Sequence, residues 1–219
     1  MSSIFDVMGP VMVGPSSSHT AGAVKLGRIA RFIFSDNIKK ADIYFHGSFA
    51  STYKGHGTDR AVIGGILGFK PDDERIRDSL NLAQKRGIDI EFHLSDLRGV
   101  HPNTAKLDLY GENKEMTIIG SSIGGSRIKI IQIDDYEVDF SGEMPTLWVL
   151  HKDEPGEVGI ITSILGSYKL NIASMTVFRN KKGEVGSAII ELDHKVNDFV
   201  ISHLGNMDDI YQVRYIEPF

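Results

Sequence analysis

Thr146–Tyr168 reads TLWVLHKDEPGEVGIITSILGSY: a strand-like apolar run, a charged turn holding Pro155 and Gly156, then apolar residues at helical spacing. Outward from it toward the C-terminus, Asn171–Asn180 (NIASMTVFRN) and Gly186–Asp193 (GSAIIELD) read as strands joined by the turn-like Lys181–Glu184. Asn197–Gly205 (NDFVISHLG) then reads as a helix and Tyr211–Ile216 (YQVRYI) as a strand. The order β-α-β-β-α-β within about seventy residues is the split-βαβ, ferredoxin-like pattern. Ser141–Pro145, with its Gly and Pro, suits a connector in front of it. Two domains are therefore expected, 1–142 and 146–219.

Toward the N-terminus the pattern is α+β. Val24, Leu26, Ile29, Ala30 and Ile33 make one apolar face, so Thr20 to about Phe34 predicts an amphipathic helix. Ala41–Gly47 reads as a strand, Arg60–Gly68 as a short buried helix despite its glycines, and Asp72–Arg86 as a helix stopped by Gly87. Ile88–Leu94, Thr104–Gly111, Glu115–Gly125 and Arg127–Asp134 read as strands, with a hairpin turn near Gly111–Asn113.

The 219 residues, 41% hydrophobic and 24% charged, supply an ordinary globular core. A net charge of −5 gives no basic footprint for nucleic acid. The first fifteen residues lack a basic start and a long apolar core, and no apolar run approaches the ~20 residues that span a bilayer, so a cytoplasmic protein with no membrane association is expected. With no cysteine, the chain holds neither a disulfide nor a thiolate-bound metal. His46 and His93 fall in strand patterns and His194 and His203 on surface-like segments, so no metal site is expected within this chain.

Chemistry concentrates in four polar segments. In GPSSSHTAG, Gly14–Gly22, hydroxyls of Ser16, Ser17, Ser18 and Thr20 surround His19 at the start of a helix, where unpaired N–H groups and the helix dipole favour an anion. An N-cap accounts for one serine and leaves the others and the imidazole unexplained. In YKGHGTDRA, Tyr53–Ala61, His56 lies between two glycines on what reads as a loop, beside Lys54, Thr58 and Asp59. It is placed either for acid–base work or as an exposed residue before a capped helix. Asn103 in HPNTA, His101–Ala105, offers an amide to a carboxylate or amine and equally suits a turn. SSIGGS, Ser121–Ser126, lacks the strand-then-helix setting of a nucleotide loop, and a bulge or tight turn explains it.

GPSSSHTAGAVKLG, GHGTDRA, HPNT and SSIGGS, in that order, resemble the beta chain of the bacterial two-chain, iron–sulfur-dependent L-serine dehydratases. HKDEPGEVGIITSIL and NIASMTVFRN resemble an ACT domain, an amino-acid-sensing module. The resemblance implies a serine dehydratase beta-type domain, related to the allosteric substrate-binding domain of some D-3-phosphoglycerate dehydrogenases, followed by the ACT domain. It implies conversion of L-serine to pyruvate and ammonia in an active site shared with an alpha chain. That chain's cysteines hold a 4Fe-4S cluster acting as Lewis acid on the leaving hydroxyl.

By the same resemblance His19 and His56 are the catalytic histidines. Ser16, Ser18 and Thr20 hold the substrate carboxylate, with Lys54 and Asn103 in support. His56 either abstracts the α-proton or protonates the departing hydroxyl. Pro155 and Gly156, opening the first ACT helix, suit either an effector carboxylate at its N–H groups or a plain βα turn, and the ACT domain implies a homodimer. Ser126 departs from the family, which often has a third glycine there. The alternative is a non-catalytic regulatory module in which the SSSHT site binds an effector.

Overall fold

The computed structural model describes residues 11–218. Residues 1–10, part of the segment expected not to be a leader, lie outside the described residues. The chain divides into two compact units, Met1–Asp134 and Asp135–Phe219. The division falls ahead of the Ser141–Pro145 connector, and a strand over Tyr136–Phe140 that the sequence pattern did not reveal goes with the second unit.

The first unit begins with a π-helical turn, Ser17–Gly22, that runs into α1 (Ala23–Phe34). Then follow β1 (Lys40–Phe45), α2 (Gly47–His56), α3 (Thr58–Ile66), a 3-10 turn (Glu74–Asp78), α4 (Ser79–Lys85), β2 (Asp89–Leu94), β3 (Thr104–Tyr110), β4 (Glu115–Gly124) and β5 (Arg127–Ile133). The strands lie in the order β2-β1-β3-β4-β5. β1 and β2 are parallel and the other neighbours antiparallel. Parallel neighbours need a long crossover, and α2, α3 and α4 supply it.

The predicted face of α1 is buried at Val24, Leu26, Ile29, Ala30 and Ile33, each large aliphatic contributing about 1.5–3 kcal/mol. Glycines persist in the α1 and α3 sequences because these helices touch backbone to backbone. A Cβ on Gly27 would lie 2.1 Å from the Val62 carbonyl oxygen, and one on Gly65 would lie 2.1 Å from that of Val24.

Two sequence expectations change here, and a third, the bend at SSIGGS, holds. The Tyr53–Gly57 segment is no loop: α2 runs through His56, and Gly57, at φ 68° and ψ 27°, makes the left-handed joint into α3 that a side chain would strain. The Asp72–Arg86 helix is a 3-10 turn followed by a seven-residue α-helix. SSIGGS forms the end of β4 and the bend into β5, where Ser126 takes φ 63°, a conformation native to glycine.

The second unit contains β6 (Tyr136–Phe140), β7 (Thr146–Lys152), α5 (Glu157–Ser167), β8 (Ile172–Arg179), β9 (Val185–Leu192), α6 (Asp198–Gly205) and β10 (Ile210–Ile216). From β7 onward this is the expected β-α-β-β-α-β order, in an antiparallel sheet β10-β7-β9-β8. Leu147, Val149, Ala188 and Ile190 on one sheet face pack with Ile161 and Leu165 of α5 and Val200 and Leu204 of α6. Successive residues point to opposite faces, which turns Trp148 away from that core. Its indole N–H donates to Ser187 Oγ (3.0 Å), and its ring lies 6.3 Å from that of Tyr136 on β6.

Candidate functional site

The π-helical turn fixes the first half of the site. Such turns are rare and concentrate where function demands an unusual side-chain direction. Ser16, extended at φ −139° and ψ 124°, caps it by accepting the His19 backbone N–H at 3.1 Å. Thus the capping role does belong to one serine. A Cβ on Gly22 would lie 2.2 Å from Ser122 Oγ, so only a glycine lets the turn seat against β4. Ser122 N–H donates to the Asn103 carbonyl (2.9 Å), and Ser121 Oγ lies 2.7 Å from Thr104 Oγ1. SSSHT, HPNT and SSIGGS therefore adjoin, and SSIGGS does more than turn the chain.

The second half comes from α2 and α3. The His19 and His56 rings meet edge to face, centroids 4.7 Å apart and planes at 83°, with Phe49 against His19 at 5.1 Å. His19 is buried, and both its nitrogens face hydroxyls: Ser16 Oγ at 3.3 Å from Nδ1 and Ser48 Oγ at 3.1 Å from Nε2. Burial first, then the neighbouring His56, lower its pKa below the ordinary 6.5, while a hydrogen bond with the Ser48 backbone works against them. Burial thus favours the neutral imidazole. His56 keeps a buried Nδ1 without a hydrogen-bond partner. Beside it, burial raises the Asp59 carboxyl pKa against the pull of Arg60 and Lys54.

A cavity of about 240 Å3 opens here, lined by Gly14, Thr20, Lys54, His56, Arg60 and Arg77 among others. Its size suits a ligand smaller than the drug-sized molecules held by pockets of ~300–1,000 Å3. No described lining residue is acidic, whereas three are cationic. The chemistry is that of an anion receptor with an imidazole at its wall. Thr20 is buried with Oγ1 unpartnered, free to donate.

The sequence candidates fare unequally. His56, Thr20 and Lys54 line the cavity and His19 touches His56. Ser16 gives its hydroxyl to His19 and the cap, which engages it away from a carboxylate. Ser18 lies half-buried in the π-helical turn. Asn103 is beside the site through Ser122, its Oδ1 buried and unpartnered, but it does not line the cavity. Pro155 and Gly156 lead into α5 as expected: Gly156 is the left-handed N-cap (φ 106°), and buried Glu157 places a carboxylate in the first turn. That carboxylate already complements the helix dipole an effector anion would use.

Ser48, Arg60 and Arg77 were missed. Arg60 stood inside the GHGTDRA motif and could have been read there, whereas Ser48 and Arg77 carried no sequence signal. Among the described residues, Asp42, Glu91 and His93 have metal-ligand spacing. Lys40 Nζ lies 3.1 Å from Asp42 Oδ2 and 3.7 Å from Glu91 Oε1, pairing with both carboxylates of the group. No described helix is long and apolar enough to cross a membrane.

The family model "Serine dehydratase beta chain" matches residues 3–86. The probable L-serine dehydratase beta chain of Bacillus subtilis (strain 168) is 43% identical over 98% of this chain and 97% of its own length. The L-serine dehydratase beta chain of Peptoniphilus asaccharolyticus is 40% identical over 98% of each. The D-3-phosphoglycerate dehydrogenase of Bacillus subtilis is 25% identical over 89% of this chain but 37% of its own length.

Proposed function

The chain belongs to the family of L-serine dehydratase beta chains, and from that premise we propose that its cavity is one half of an active site that deaminates L-serine. A beta chain by name has a partner chain in the same enzyme. The observation that carries the proposal is the His19–His56 contact at the wall of a small cationic cavity. Overall, L-serine loses its α-proton and β-hydroxyl as water, and the resulting 2-aminoacrylate tautomerises and hydrolyses to pyruvate and ammonia.

In this reading Lys54, Arg60, Arg77 and the Thr20 hydroxyl draw the substrate carboxylate into the cavity. Several convergent donors fix the α-carbon against the imidazoles, which is worth more than any one contact. His19, neutral and held at both nitrogens, orients. His56 moves the proton, because its ring is the one at the cavity wall without a full set of partners. A general acid–base group of this kind contributes about 10²–10⁴-fold.

A 4Fe-4S cluster does not fit the residues of this chain: the donors are hydroxyls, imidazoles and cations, and there is no cysteine in the sequence. We place the cluster on the alpha chain, where it would polarise the leaving hydroxyl, and assign this chain only the protein-borne steps. The second unit, from its strand and helix order, is read as an ACT domain that pairs two copies. A regulatory reading like that of the D-3-phosphoglycerate dehydrogenase module would use the cationic cavity but has no need of two touching imidazoles.

The test is anaerobic purification of this chain alone and together with the alpha chain, with iron analysis and a pyruvate assay. The pair is expected to contain iron and form pyruvate, and this chain alone neither. Serine deamination by the chain alone would contradict the shared site.

A further inference from the structure

The sequence motifs leave out the hydroxyl that holds the His19 ring from its far side. Ser48 is the second residue of α2, next to Gly47, where a Cβ would lie 2.6 Å from the Pro102 carbonyl oxygen. That carbonyl accepts from Ser48 N–H at 2.8 Å and Phe49 N–H at 3.4 Å. The carbonyl of Ser48 in turn accepts from Ser51 Oγ at 3.1 Å and Thr52 Oγ1 at 2.7 Å. The backbone at Ser48 is fixed from both sides, so Oγ has a defined place, 3.1 Å from His19 Nε2.

Both ring nitrogens face a hydroxyl that can donate or accept. Ser16 Oγ accepts the His19 amide and keeps its proton available for Nδ1. With Nδ1 accepting that proton, the neutral imidazole carries its own on Nε2, within reach of Ser48 Oγ.

We propose that Ser48 is a positioning residue: it holds His19 as the Nε2–H tautomer and ties that ring, through the Pro102 carbonyl, to the loop that carries Asn103. The inference rests on the cavity being the active site only for its effect on turnover; the hold on His19 stands or falls by itself. Ring orientation set by the hydrogen bond on the other nitrogen is how a histidine's role is ordinarily fixed. Ser16 alone would leave the ring free at Nε2.

The experiment has two readouts. Nitrogen-15 NMR of the histidine rings in the full chain, with His19→Gln as the blank for assignment, reads the tautomer. The co-expressed enzyme reads KM and kcat. The wild-type chain is expected to show the Nε2–H pattern. Ser48→Ala is expected to mix the tautomers and raise KM about three- to tenfold, the worth of one neutral hydrogen bond, with kcat changed less and with Ser48→Thr restoring both. Ser16→Ala is expected to keep the Nε2–H pattern, and this variant decides the matter even if Ser48→Ala does not fold. An unchanged tautomer in folded Ser48→Ala, or a flipped one in Ser16→Ala, overturns the proposal. A mixed tautomer with unchanged KM and kcat upholds the hold on His19 and overturns the placement of His19 in the active site.

Discussion

The two units leave buried polar atoms unpartnered in different ways. In the second, Gln212 Nε2, Arg214 Nε and Tyr215 Oη follow one another along β10, with His151 Nε2 on the neighbouring β7. In the first, Thr20 Oγ1 and His56 Nδ1 belong to residues that line one cavity, and Asn103 Oδ1 and Ser122 Oγ lie on segments that adjoin the Thr20 turn, while Thr58 Oγ1, Asp42 Oδ1 and Ser126 Oγ lie off the cavity lining. A buried donor or acceptor without a partner costs about 1–3 kcal/mol. Several together from separate segments mark a place where the fold tolerates that cost for a ligand.

The same contrast runs through the glycines. Gly27 and Gly65 are jammed against backbone, whereas Gly159 and Gly166 on α5 have nothing within 4 Å of a would-be Cβ. The largest effect on the comparison is expected from Gly65→Ala. Its methyl would meet Val24 O, Arg28 N and the Gly27 Cα at 2.1–2.9 Å, and overpacking of that kind costs about 1–3 kcal/mol or more. Chemical denaturation should show the loss, and an unchanged midpoint would mean that α1 and α3 are not in backbone contact. Gly166→Ala is expected to act in the opposite sense, stabilising by about 0.5–1 kcal/mol through helix propensity. Destabilisation there would show that the open face of α5 is covered in solution.

The smallest difference is expected in the pH dependence of stability. Because the folded-state pKa of His19 lies below its ordinary 6.5, the unfolded chain binds the proton first. Its contribution is then fully present above about pH 6.5 and declines as pH falls through the folded-state value. Denaturation at pH 7.5 and 5.5 should show a shallower decline for His19→Gln than for wild type. Identical slopes would mean that His19 is not held neutral.

How much of this was legible follows from where the information lies. The second unit could be read from its pattern because each element carries its own signal: Leu147–Leu150 is an unbroken apolar run of strand length, and Ile161 with Leu165 and Val200 with Leu204 each recur at helical spacing. The α1 face was legible for the same reason. His56 was found as a residue but misplaced in a loop, since Gly55 and Gly57 signal a break and only Gly57 makes one. The π-helical turn was invisible, because no local propensity distinguishes it from an α-helical start.

Ser122 was dismissed as part of a bend. Its role arises from contact with Gly22, a hundred residues earlier in sequence, and the same distance effect hid Arg77 and the pairing of Ser48 with His19. Motif reading located the segments; tertiary contact decided which side chain in each segment faces the cavity. Ser16 shows this most simply: its hydroxyl caps the turn and faces the His19 ring, a contact no spacing in the sequence announced.

The most direct measurement of the central claim is turnover of L-serine by His56→Ala co-expressed with the alpha chain, beside a check that the two chains still co-purify as the wild-type pair does. Loss of turnover by about 10²–10⁴-fold in an intact assembly is the predicted result. Turnover within a few-fold of wild type in that same assembly would contradict it and move the proton-transfer step out of this chain.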